Sequence, residues 1–129
     1  MRGPLAPPEV PVSRSRSERF YDLVRDEEHR LEQRWGRELA GVEFVVEEVP
    51  PVEPWTDGVG TTPPLSELVP ADGDHPAQIV VYRRPVEVRG GDDEQDLALL
   101  VRDLLVEEVA NLLGLSPESV DPTYDSPDE

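Results

Sequence analysis

Between Asp93 and Leu113, apolar residues return every three or four positions, and this stretch limits the fold more than any other part of the chain. On a helical wheel of about 100° per residue, Leu97, Leu100, Val101, Leu104, Leu105, Leu112 and Leu115 share one face. A helix with so wide an apolar stripe must bury it against a second layer. The boundaries are written locally. Asp92 with Gln95 three residues later resembles a capping box, and Asp93 and Glu94 suit the positive end of the helix dipole. Gly114 is a C-terminal stop with Pro117 just beyond, and Ser116-Pro117-Glu118 can open one further short turn.

The second layer must come from the rest of the chain. Phe20, Leu23, Val24, Leu31, Trp35 and Leu39 predict another helix, starting near Ser15 or Ser17 and running through Ala40 to a stop at Gly41. Leu31 and Trp35 should meet the later helix near Leu104 and Leu105. Val42–Val49 reads as a strand ended by Pro50 and Pro51. Residues 52–76, rich in Pro and Gly, form a long loop in which Leu65–Val69 is expected to make one helical turn. Gln78–Val88 is the second strand. Pro85 cannot donate to a ladder, so this strand is expected at a sheet edge, or its pairing ends there. Gly90-Gly91 then turns the chain into the leucine-rich helix.

The order helix, strand, loop, strand, helix predicts a small α+β domain, two long helices on a small sheet. Its expected limits are 16–118, between a disordered Pro- and Arg-rich arm over 1–15 and a disordered acidic tail over 119–129. The length of 129 residues suits one such domain.

Charge narrows the partners. A formal net charge of −17 repels phosphate backbones and anionic lipid, so neither nucleic acid nor a membrane is expected as a partner. No run has the length of a membrane span and the N-terminus has no secretory pattern, so a cytoplasmic location is expected. With no cysteine, disulfides, thiolate metal sites and cysteine nucleophiles are excluded. The two histidines, His29 and His75, fall on the polar side of the first helix and in the long loop.

One residue breaks the leucine stripe. Glu108 lies within it, with Glu107 and Asn111 at its edge. An ionised carboxylate does not enter a dry core unpaired. Either the helix borders a cleft at this turn, or Glu108 meets an arginine, or it is protonated, or it lies at a packed rim. Glu27 and Glu28 pose the same question on the first helix.

The segments Phe20–Leu31, Val42–Pro51, Ile79–Pro85 and Leu104–Leu115 resemble the minimal zincin-like metallopeptidases of bacteria. The most specific piece is Ile79-Val-Val-Tyr-Arg-Arg-Pro85, followed after a turn and a helix by Leu113-Gly114-Leu115. In that family the last long helix carries His-Glu-x-x-His, whose histidines hold Zn²⁺ while the glutamate activates water. Aligned on Gly114, the motif falls on Glu107-Glu108-Val109-Ala110-Asn111. Glu108 takes the general-base position, and Glu107 and Asn111 stand where the histidines would be. The resemblance thus implies a degenerate member, the fold retained and zinc peptidase chemistry lost, left with peptide or protein binding. Ile79–Arg84, with Tyr82, Arg83 and Arg84, is the candidate edge strand for an extended peptide. No cofactor is expected. The alternative is a hydrolase with an atypical Mg²⁺, Mn²⁺ or Ca²⁺ site built from the oxygens of Glu107, Asn111 and Glu118.

Overall fold

The computed structural model describes residues 15–51 and 63–124. Its elements are α1 (Arg16–Trp35), β1 (Glu43–Glu47), β2 (Ser66–Val69), β3 (Gln78–Tyr82), α2 (Arg83–Gly90), α3 (Glu94–Leu113) and α4 (Pro117–Val120). They form the expected α+β architecture of two long helices against a small sheet. The arm before Ser15, residues 52–62 and residues 125–129 lie outside the described residues. Among the described residues no helix is long and apolar enough to cross a membrane.

The long helices form where local signals place them. Ser15 caps α1 through a capping box, its hydroxyl accepting from the Glu18 amide at 3.1 Å while the Glu18 carboxylate accepts from the Ser15 amide at 3.0 Å. The helix ends at Trp35, short of the expected Ala40, and turns carry the chain to Gly41. Asp93 rather than Asp92 caps α3, accepting from the amides of Gln95 and Asp96 at 2.8 and 3.1 Å. Gly114 closes α3 at φ 72°, a left-handed conformation that costs glycine little.

The sheet has three strands in the order β1-β3-β2. β1 runs parallel to β3, with Val45 opposite Val80; β2 runs antiparallel to it, with Leu68 opposite Ile79. Three expectations are corrected here. Leu65–Val69 does not make a helical turn, because Ser66–Val69 is a strand with alternating exposure. The strand expected over 78–88 stops at Tyr82, and Arg83–Gly90 is helix. Pro85 sits in the first turn of that helix, where an amide needs no helical acceptor, and Arg83 pairs with Glu87 one turn on at 3.0 Å. The ladder has already ended when Pro85 is reached. So β3 is the central strand, not an edge, and Tyr82, Arg83 and Arg84 offer no strand edge to a peptide.

Burial follows from that position. Ile79 and Val81 of β3 are completely buried on the face that packs with Phe20, Leu31, Val101, Leu105 and Val109. The α2–α3 corner is tight. A Cβ on Gly90 would stand 2.9 Å from Leu97 Cδ1 and 3.4 Å from Leu97 Cα, so a side chain there would require the end of Leu97 to shift. The ordered body also extends past the expected limit of 118. Val120, Asp121 and Tyr124 are buried, and the Trp35 indole donates to the Val120 carbonyl at 3.0 Å.

Candidate functional site

α3 brings Glu107, Glu108 and Asn111 to one turn, where the stripe of buried residues passes β2 and the segment after α4. Glu108 is only 9 % exposed. One of its carboxylate oxygens accepts from the Ser66 hydroxyl of β2 at 2.7 Å, and the other from the Asn111 side-chain amide at 3.4 Å. Glu107 accepts from the buried Tyr124 hydroxyl. Burial, and then the Glu107 carboxylate beside it, pushes the Tyr124 phenol well above its ordinary value. Of the fates open to a glutamate in a leucine stripe, Glu108 is buried and hydrogen-bonded to neutral donors. Among the described residues no ion pair joins an arginine to Glu107 or Glu108.

Ser66 and Tyr124 were not legible as partners. They lie 42 and 17 residues from the glutamates they serve. Ser66 sits in the Leu65–Val69 stretch expected as a helical turn within the long loop, and Tyr124 in the stretch expected as tail. A hydroxyl carries no sequence periodicity that could have singled it out.

The donors at this turn do not suit a zinc ion. They are two carboxylates already occupied by hydroxyls and one carboxamide that donates to Glu108. Among the described residues no group of three His, Cys, Asp or Glu side chains is placed to hold a metal. Glu118, named as an oxygen ligand in the alternative site, is exposed on α4. His29 is on the exposed side of α1, within 3.1 Å of Gln33, and His75 is exposed in the turn it closes with Asp72.

A second buried acid cluster ties the end of the chain to α1. Glu27 is 7 % exposed and receives Arg30 at 3.1 Å through both carboxylate oxygens. Arg30 also donates to Asp121, whose other oxygen accepts from the Thr123 hydroxyl and amide at 2.7 and 2.9 Å. Burial raises the Glu27 carboxyl more than Arg30 lowers it. Burial pulls Asp121 the same way, but Thr123 and Arg30 outweigh it and hold that carboxyl down at about 2.

Tyr82, Arg83 and Arg84 are committed differently. The Tyr82 hydroxyl donates to Glu67 of β2 at 2.8 Å, and burial followed by that contact pushes the phenol up to about 12. Arg83 bonds Glu48 and Glu87, each at 3.0 Å. The Arg84 guanidinium stands 3.7 Å from the Glu48 carboxylate, and the Arg84 amide donates to the Glu48 carbonyl at 3.0 Å. Arg83 and Arg84, with Arg16, line a groove of about 690 Å³ at the start of α1, away from the glutamates of α3.

A family model described as zincin-like metallopeptidase matches residues 39–125, which takes in the sheet, α2, α3, α4 and Tyr124. Comparison with curated proteins gives no match.

Proposed function

Because the chain belongs to the zincin-like metallopeptidase family, we propose that it is a member whose peptidase chemistry is lost and whose fold serves peptide or protein binding. The observation that carries this reading is the state of the turn at 107–111. Imidazole is absent from it, and the carboxylates of Glu107 and Glu108 are held by the hydroxyls of Tyr124 and Ser66. A general base needs a water to activate, and a zinc-bound water needs neutral nitrogen or thiolate ligands around the ion. This turn supplies oxygen donors already in use.

Peptide binding is assigned to β2. Among the described residues β1 and β2 are the edges of the sheet, and β2 is the edge that touches the Glu108 turn. An extended segment added to Ser66–Val69 would gain main-chain hydrogen bonds without disturbing β3. The exposed Glu67 and Val69 leave that edge accessible.

The test combines metal analysis, hydrolysis and NMR. Protein purified without chelator should carry no stoichiometric zinc. It should not cleave casein with Zn²⁺ or Mn²⁺ added. Extended peptides should shift the amide signals of Ser66–Val69. Bound zinc at one per chain, with hydrolysis abolished by Glu108→Gln, would refute the loss of chemistry. Peptide libraries that leave Ser66–Val69 unmoved would refute the assignment to β2.

A further inference from the structure

The groove at the start of α1 has a chemistry of its own. On a chain with 29 acidic and 12 basic residues, three guanidiniums, of Arg16, Arg83 and Arg84, line this one depression. Arg83 is consumed by Glu48 and Glu87 and is 12 % exposed. The other two are not consumed. Arg16 is 72 % exposed and stands 3.7 Å from Asp92; Arg84 is 67 % exposed and stands 3.7 Å from Glu48. Both separations exceed a hydrogen bond, and pairs so exposed contribute little. A carboxylate arriving from outside can take two parallel N–H donors from either guanidinium.

Beside the groove is an apolar shelf of about 170 Å³, formed by Pro63, Leu65, Pro85, Val88 and Arg89. Val88 lines both depressions and is 84 % exposed, a large apolar surface for one helical residue. Leu65 immediately precedes β2, and its carbonyl accepts from the Tyr82 amide at 2.9 Å. The edge of β2, the shelf and the arginine groove therefore follow one another across the surface.

We propose that this surface binds an acidic peptide segment, with an apolar side chain on the shelf and carboxylates at Arg84 and Arg16. The proposal rests on the peptide-binding reading of β2 for the strand that leads into it. It also reverses the expectation that overall charge creates. A chain of net charge −17 attracts basic partners at long range, but the lining of this groove sets three arginines against two acids, Glu87 and Asp92, a local cationic excess.

Synthetic peptides test it: an alternating Val-Thr segment extended at either end with Leu-Glu-Glu, Leu-Gln-Gln, Leu-Lys-Lys or Gly-Glu-Glu. Binding is followed by fluorescence anisotropy and by amide shifts of the full chain. The Leu-Glu-Glu peptide should bind about tenfold tighter than its glutamine counterpart. It should also shift Arg84 and Val88. Arg16→Gln with Arg84→Gln should abolish that preference while leaving the amide spectrum of the folded chain away from the groove unchanged, since both side chains are exposed. Val88→Ser should erase the advantage of Leu-Glu-Glu over Gly-Glu-Glu. Equal affinity for the acidic and glutamine peptides overturns the proposal, as does an acidic preference that survives the double variant. The two readings separate cleanly. Shifts at Ser66–Val69 with no effect of the extension sink the groove and spare the strand. Shifts at Arg84 and Val88 with Ser66–Val69 silent do the reverse.

Discussion

Asp121 and Glu27 face the same guanidinium, yet their carboxyls move in opposite directions. Burial raises both; Asp121 has hydrogen bonds from Thr123 as well as Arg30 to offset it, whereas Glu27 has Arg30 and a weaker pull from Arg102, against which the Asp121 charge adds to burial. The sign for stability follows. A carboxyl held low in the folded state stabilises above its ordinary value near 4 and loses that contribution as the pH falls. For Asp121 the loss runs down to about pH 2. Asp121→Asn should therefore cost about 2 kcal/mol at pH 7. Urea melts should show the gap to the native chain closing between about pH 4 and the folded value. A gap unchanged at pH 2.5 would mean that Asp121 is not held low. Glu27 acts in the other sense, its raised carboxyl favouring the folded state as the pH drops. At the motif turn, Ser66→Ala would leave the buried Glu108 only its 3.4 Å contact with Asn111. That should cost about 1–3 kcal/mol in denaturant melts. Glu108→Gln, which can still accept from Ser66, should cost less, so it is a sound variant for the activity assay. The sequence pointed to Glu108 because a carboxylate interrupted a periodic stripe. It could not point to Ser66 or Tyr124, since partners distant in sequence leave no periodic trace.

At the scale of elements, legibility tracks how local the determinants are. α1 and α3 could be read because Ser15 and Gly114 each announce an end within a few residues, and the α3 cap fell one residue beyond the expected Asp92. β2 could not. Its four residues hold too little pattern, and its strand geometry comes from pairing with β3. α2 was hidden by its own composition, for Val86 and Val88 alternate as they would in a strand. The helix prevails because Pro85 falls where no amide acceptor is needed, and because Arg83 and Glu87 pair across one turn. The central place of β3 is a long-range property, and it explains why a strand read as an edge is so thoroughly buried. The packing of the long helices makes a graded prediction. Leu105 is completely buried and Leu104 is 8 % exposed. Leu105→Ala should cost about 2–5 kcal/mol, and Leu104→Ala should cost less. Equal losses in urea melts would mean that the face of α3 is rotated from the one described. Gly114→Ala should cost about 1 kcal/mol by forcing a side chain into the left-handed region.

At the scale of the molecule, the dominant quantity is the charge of −17. Exposed pairs such as Arg16–Asp92 and Arg19–Glu94, 45–92 % exposed, do little to offset it. Self-repulsion among the surplus carboxylates lowers the stability of the compact state. Sodium chloride should therefore stabilise this protein. Raising it from physiological strength to 1 M shortens the screening length from about 8 Å to about 3 Å. That weakens repulsion across the whole surface, while the Asp121–Arg30 contact, with Asp121 buried, is screened less. A gain of about 1 kcal/mol would appear as a rise of roughly 4–8 °C in the melting temperature for a domain of this size. Chloride is the right anion for the measurement, because sulfate also strengthens apolar burial and would confuse the cause. A melting temperature that falls with added salt would mean that surface ion pairs, not repulsion, govern stability. The same titration should act in the opposite sense on the acidic peptide, whose affinity for Arg16 and Arg84 should drop as salt rises. One variable thus separates the two roles of charge in this molecule, a global repulsion that salt relieves and a local attraction that salt removes.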